Sequence, residues 1–311
     1  MNPQSPSRSY FIFGFIFCFL GAIFFSTKAI FVKVAYRETD VDAVSLLALR
    51  MFFSLPFFMI SAFATSAKST NVKFTVSQWI QIAIIGCLGY YFSSLLDFIG
   101  LKYVSAGIER LILFIYPTLV LLMSSAIFKS KIKTFQWIAV GVTYVGLLLA
   151  FYGEVKLPQQ DNNGLVFGSI MILICAITYA CYIVGSGRLI PAVGAAKFNS
   201  YAMSFACIAV LIHFFITSNE SLLTFSNEVY GYSFAMAIVS TVVPTYLISE
   251  GIKRIGSGNA AIVGSVGPIS TIIQAYYFLG EPFFELQIIG TGLVLAGVWI
   301  IGRNKKSNGL T

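Results

Sequence analysis

The chain is built from apolar segments about as long as a lipid bilayer is thick, separated by short polar breaks. A helix needs about 20 apolar residues to cross the hydrocarbon layer. Lipid cannot bond open backbone groups, so such segments must be helical. Only 10% of the 311 residues are charged, against about 25% in soluble domains. The sequence therefore predicts an all-α polytopic membrane protein with ten transmembrane helices, at residues 11–34, 44–64, 78–100, 104–128, 135–152, 165–187, 195–217, 229–252, 257–279 and 285–302.

Basic residues outside these segments fall mostly on one side of the membrane, and acidic residues fall on the other. If the chain alternates through ten spans, the side of the N-terminus carries basic residues only, and nine acidic residues fall on the other side. Loops rich in Lys and Arg stay in the cytoplasm. We therefore predict a multi-pass protein of the bacterial inner (cytoplasmic) membrane with both termini cytoplasmic. The net charge of +8 then reflects orientation and anionic lipid, and nucleic acid is not an expected partner.

The second half of the chain repeats features of the first. Gly and Pro positions are set by backbone geometry, so their recurrence indicates one structural unit used twice. At a spacing of 151, the recurring pairs are Gly100 and Gly251, Gly107 and Gly258, Pro117 and Pro268, Gln136 and Gln287, Gly141 and Gly292, and Gly146 and Gly297. A weaker match at a spacing of 154 pairs Gly14 with Gly168.

Because five is odd, a second unit of five spans must be inverted in the membrane, as in many secondary transporters. The predicted organisation is a first five-helix repeat (1–152), a linker (153–164), a second, inverted five-helix repeat (165–302) and a cytoplasmic tail (303–311).

Two segments resemble the EamA family of the drug/metabolite transporter superfamily. Residues 97–128, DFIGLKYVSAGIERLILFIYPTLVLLMSSAIF, resemble the region of its fourth helix, and residues 258–298 contain Pro268 and the Leu-Gly-Glu-Pro turn at 279–282. The first half departs from the family pattern, with Lys129-Ser130 in place of Gly-Glu. Across nearly the whole chain, the resemblance implies a ten-span transporter with a central cavity, often an exporter of amino acids or related metabolites.

Charged side chains also lie within the predicted spans, where each costs about 2.5–3.5 kcal/mol. Five of them fall in the outer half of spans one to four: Lys28, Arg50, Asp97, Glu109 and Arg110. One interpretation is a structural salt-bridge network that locks these spans together. The other is a binding pocket or outer gate. There, Lys28 or Arg50 would hold the carboxylate of a substrate. Asp97 or Glu109 would hold an amine or a proton.

A further carboxylate, Glu250, lies near the inner end of span eight, two positions from the counterpart of Asp97. We hypothesise that Asp97 and Glu250 serve opposite gates or a proton path. The alternative is an interfacial Glu250 paired with Lys253 or Arg254. Protons are the candidate coupling ion. No cofactor or metal is expected, because the chain has one histidine and lacks a nucleotide-binding motif.

Proline and aromatic residues add further candidates for the pocket. Pro117 and Pro268 lie near mid-span, where each removes a helix hydrogen bond. A role in alternating access and a bend that only improves packing both remain open. Tyr116 precedes the first proline, and Gln274 follows the second by six positions.

Tyr179 and Tyr182 share one face of span six. They either line the cavity or pack.

The predicted function is secondary transport, with export of small metabolites favoured. The alternatives are export of amphipathic drugs, a channel, and an intramembrane enzyme. An enzyme is disfavoured, because no nucleophile and base are placed to meet. We expect a monomer, with a homodimer as the alternative. The sequence leaves the substrate, the direction and the coupling ion undetermined.

Overall fold

The computed structural model describes residues 8–67, 73–129, 132–155, 162–264, 266–282 and 284–303, and these form helices without a strand. Its α-helices are α1 (Arg8–Glu38), α2 (Ala43–Ser66), α3 (Val76–Gly86), α4 (Ser93–Gly100), α5 (Ala106–Leu113), α6 (Tyr116–Phe128), α7 (Thr134–Val155), α8 (Asn162–Val193), α9 (Ala195–Thr217), α10 (Asn227–Ala237), α11 (Val243–Gly264), α12 (Val266–Gln274) and α13 (Glu285–Arg303). π-helical turns occupy Cys87–Phe92, Ile238–Val242 and Ala275–Leu279.

The helices confirm an all-α polytopic membrane protein. Eight of them, taken across their π-helical turns, are long and apolar enough to cross a bilayer. The apolar part of α13, Glu285–Ile300, is shorter, and the predicted ninth span is divided among α11, α12 and a π-helical turn. Judged by helix length and hydropathy, the described residues therefore contain eight membrane-spanning helices, and the predicted count of ten is not reached.

Helical backbone extends past several predicted span ends. A polar residue ends the apolar run but leaves backbone hydrogen bonding intact, so α8 continues to Val193 and ends only where Gly194 adopts a φ of 84°. For the same reason the predicted loop between spans eight and nine is wrong, because α11 is helical through residues 253–256. Of the predicted linker and tail, residues 156–161 and 304–311 lie outside the described residues.

Both α11 and α12 contact α1. Gly21 and then Gly14 of α1 meet Ile248 and then Gly251 of α11. Ser26, further along α1, donates a hydrogen bond to the carbonyl of Gly267 at 3.1 Å. Residues 248–255 of α11 therefore run antiparallel to α1, and Gly267 of α12 lies beside Ser26, on the Gly21 side of that contact.

Two helix contacts between the halves of the chain are made by residues at corresponding positions. A Cβ placed on Gly251 would lie 2.4 Å from Cys18 Sγ, and one placed on Gly100 would lie 2.5 Å from Ile172 Cδ1. These two contacts are related by the spacings of 151 and 154 seen in the sequence. The same glycines let α11 approach α1, and α4 approach α8, at close range. Small residues at such contacts are typical of helix packing in membranes.

Candidate functional site

A buried ion network joins three of the predicted spans. Lys28 Nζ on α1 lies 2.5 Å from Asp97 Oδ2 on α4 and 3.2 Å from Glu109 Oε1 on α5. All three residues are buried, and Glu109 is fully inaccessible. The local cause is the corner at residues 101–105, which separates α4 from α5 and ends at Ser105, the cap of α5. The corner turns both carboxylates toward α1.

Arg50 on α2 is placed by a different set of contacts. Its Nε donates to Thr241 Oγ1 at 2.9 Å, and its guanidinium carbon lies 5.5 Å from the centroid of the Phe98 ring. The side chain is buried. Among the described residues, its Nη1 has no hydrogen-bond partner. The second half of the chain therefore supplies the acceptor that holds this cation.

Arg110 on α5 follows the same pattern. Its Nε donates to Thr271 Oγ1 on α12 at 3.0 Å, and its Nη2 donates to the Phe25 carbonyl at 3.3 Å. Neither arginine forms a salt bridge with a carboxylate within the described part of the chain. A salt-bridge network therefore accounts for Lys28 and its two carboxylates, and it leaves both arginines available for another role.

Three buried polar atoms of this region lack hydrogen-bond partners among the described residues: Arg50 Nη1, Asp97 Oδ1 and Glu109 Oε2. Buried polar atoms are rarely left unpaired. The set combines a donor on a cation with acceptors on anions. It is therefore chemically suited to a small zwitterion, whose carboxylate would accept from Arg50 and whose ammonium group would donate to a carboxylate.

A tyrosine cluster forms a second polar group. Tyr90 and Tyr182 share a hydroxyl–hydroxyl bond of 2.9 Å, and the Tyr182 hydroxyl donates to Asn199 Oδ1 at 3.1 Å. Tyr179 stacks on Tyr182 with ring centroids 5.7 Å apart and meets Tyr116 edge to face at 5.2 Å. The structure thus brings the three tyrosines of the sequence prediction into one cluster and adds Tyr90 and Asn199.

The two polar groups use corresponding positions of the two halves. Tyr90 and Thr241 both lie in π-helical turns and are 151 residues apart, while Lys28 and Tyr182 are 154 apart. π-Helical turns inside helices occur often at functional sites. The lysine-centred group and the tyrosine cluster are therefore counterparts with different chemistry. Along the helix that carries both, Tyr90 and Asp97 are about 10 Å apart.

The remaining predicted residues lie outside both groups. Glu250 forms an ion pair of 3.2 Å with Arg254 on its own helix, which agrees with the interfacial alternative. Gln274 donates to Ser270 Oγ at 2.7 Å, also on its own helix.

Pro117 is the second residue of α6, and Pro268 lies in α12, three positions after residue 265, which is outside the described residues. At the position of Pro117 a proline removes no helix hydrogen bond, because the first turn of a helix has none to lose. The helix before Pro117 already ends at Leu113.

Sequence reasoning missed Thr241, Thr271, Tyr90 and Asn199. A threonine or tyrosine within an apolar run carries no charge, so it gives no hydropathy signal. The spacing of 151 could have directed attention to Thr241, because it is the counterpart of an aromatic residue in the first half.

A bundle of membrane-length helices defines a polytopic membrane protein, and its buried, cross-bonded charges mark a candidate functional site. The chain belongs to the EamA-like transporter family, whose model matches residues 12–152 and 166–303. It is 34% identical over 284 residues to the uncharacterized transporter YcbK of Bacillus subtilis (strain 168), covering 90% of this chain and 89% of that protein.

More distant relatives and a solved structure agree with this assignment. An uncharacterized transporter of Archaeoglobus fulgidus is 22% identical over 286 residues, covering 91% of this chain and 94% of that protein. A solved crystal structure, 17% identical, matches with a TM-score of 0.62 over 95% of this chain and 98% of that one. The structural match supports the fold alone.

Proposed function

We propose that this transporter is a secondary exporter of small zwitterionic metabolites, such as amino acids or related compounds, that works by alternating access between two inverted repeats. The observation that carries the proposal is the pair of buried arginines bonded to threonines of the other half. Lys28 with Asp97 and Glu109 forms a locked ion network, whereas Arg50 Nη1 has no hydrogen-bond partner among the described residues. A buried cation of this kind favours an anionic group as its ligand.

The charge balance supports a carboxylate ligand. The region holds three cations, Lys28, Arg50 and Arg110, and two anions, Asp97 and Glu109. One excess positive charge inside an apolar bundle is costly, and a bound carboxylate would neutralise it. An ammonium group on the same molecule would meet Asp97 Oδ1 or Glu109 Oε2.

The two counterpart groups support the proposal of alternating access. The Arg50–Thr241 and Arg110–Thr271 bonds join the halves near the charged group. The Tyr90–Tyr182 bond joins the halves at the tyrosine cluster. In the proposed cycle each set of bonds opens in turn while the other stays closed. The separation of about 10 Å along one helix suits a metabolite of amino-acid size.

The test uses ligands that differ by one charged group. Purified protein would be melted with L-leucine, with 3-methylbutylamine, which lacks the carboxylate, and with 4-methylpentanoate, which lacks the ammonium group. A ligand at 100 times its Kd stabilises the folded state by about 2.7 kcal/mol. We expect the zwitterion to raise Tm most, and Arg50→Ala to remove most of that rise.

Arg188→Ala is the matched control, since Arg188 is an exposed arginine of α8. A panel of amino acids extends the screen if leucine is too large or too small. The zwitterion proposal fails if no amino acid raises Tm while an amphipathic cation does, and that result would favour drug export. It also fails if Arg50→Ala and Arg188→Ala respond alike.

A further inference from the structure

Glu281 crosses between the two halves at the corner that positions the carboxylates. It lies just beyond α12 and its π-helical turn, directly after Gly280, whose φ of 71° ends that turn. Its Oε1 accepts from the Ala106 amide at 3.0 Å, and its Oε2 accepts from the Gly107 amide at 3.5 Å. A carboxylate of the second half therefore caps the first turn of α5 in the first half.

The cap is electrostatically favourable as well as geometrically matched. The first amides of a helix have no partner within the helix, and the helix dipole favours an anion at this end. Burial and the nearby charge of Glu109 raise the pKa of Glu281, while the two amides and the charge of Lys33 act in the opposite direction. Because the carboxylate is partly buried, its bonds to the amides are stronger than at an open surface.

A lysine of α1 also binds the 101–105 corner. Lys33 on α1 donates to the Val104 carbonyl at 2.9 Å, within the 101–105 corner. The corner lies between Asp97 and Glu109, the two partners of Lys28. The position of the corner therefore sets whether both carboxylates can reach the lysine at once.

We propose that Glu281 is a cross-repeat latch that holds this end of the transporter closed and, through the corner, holds Glu109 against Lys28. The inference rests on the proposed alternating access, since a latch has a function only if this end opens. The first half carries Ser130 at the position 151 residues before Glu281, so the sequence places the carboxylate in one half alone. The two ends of the bundle are therefore closed with unequal strength.

Hydrogen–deuterium exchange on protein in nanodiscs tests the latch without any substrate. We expect Glu281→Gln to speed exchange of peptides covering residues 104–113 by about tenfold, because bonds to a charged acceptor are lost. Glu281→Asp, which keeps the charge on a shorter stem, should give a smaller increase. Peptides covering residues 76–86 of α3, capped by Thr75 and Gln78, should exchange as in the wild type.

Glu285→Gln is the matched control, since it removes an exposed carboxylate four positions away. The latch is refuted if Glu281→Gln leaves residues 104–113 unchanged, or if both peptide sets accelerate equally, which would indicate general loosening. Failure of the substrate test with a positive exchange result would leave the latch standing and overturn only the ligand chemistry.

Discussion

Replacing Lys28 with Met removes the one cation that bridges two buried carboxylates. At an effective dielectric constant of about 20, the attractions at 2.5 Å and 3.2 Å are each of the order of 5–7 kcal/mol. The cost of withdrawing the charges from water offsets much of this. Removing one partner of a buried pair typically costs about 3–5 kcal/mol, because the other charge stays buried and unpaired.

Thermal unfolding of the purified protein measures this cost. A loss of about 3–5 kcal/mol corresponds to a fall in Tm of roughly 5–8 °C for a chain of this length. Lys28→Met combined with Asp97→Asn should melt at a higher temperature than Lys28→Met alone, because the second change removes an uncompensated anion. Lys73→Met, at an exposed lysine, is the control. The reasoning is refuted if Lys28→Met lowers Tm no more than Lys73→Met, or if the double variant is less stable than the single one.

Three further predictions concern packing, backbone and the tyrosine cluster. Gly290→Ala should destabilise the protein by about 1–3 kcal/mol, because the new Cβ would lie 2.4 Å from the Gly146 carbonyl oxygen. Gly292→Ala, whose Cβ would have no described atom within 4 Å, should be tolerated. Equal melting temperatures for the two variants would contradict this prediction. Lys129→Gly should stabilise the protein by about 0.5–1 kcal/mol, because Lys129 is exposed and adopts a φ of 53°. Lys133→Gly, measured in the same denaturation assay, should not increase stability. Tyr182→Phe should lower stability by about 1–2 kcal/mol through its lost bonds to Tyr90 and Asn199, and an unchanged Tm would show that these hydroxyl bonds contribute little.

Hydropathy was sufficient to predict the fold class and the centres of most helices. It misplaced helix ends because it detects the boundary of lipid, whereas backbone hydrogen bonds can continue into water. The helical stretch across residues 253–256 shows this most clearly. The π-helical turns were equally invisible, since no residue type marks them in the sequence.

The buried charges were identifiable because each is costly inside a membrane. The sequence could not show how they are shared out, since the threonine partners of Arg50 and Arg110 lie 191 and 161 residues away. Uncharged acceptors so distant in the chain leave no periodic pattern. The same limit applies to Glu281, which the count of loop charges placed correctly outside the spans but could not connect to α5.

Counterflow in proteoliposomes tests the central claim most directly. Vesicles loaded with unlabelled amino acid, using the member of the panel that raises Tm most, would be placed in trace labelled amino acid. Our account predicts transient, saturable accumulation of label that Arg50→Ala abolishes and Arg188→Ala preserves. Flux that rises linearly with concentration without accumulation, or accumulation that survives Arg50→Ala, would contradict a carrier that binds its substrate at the buried arginine.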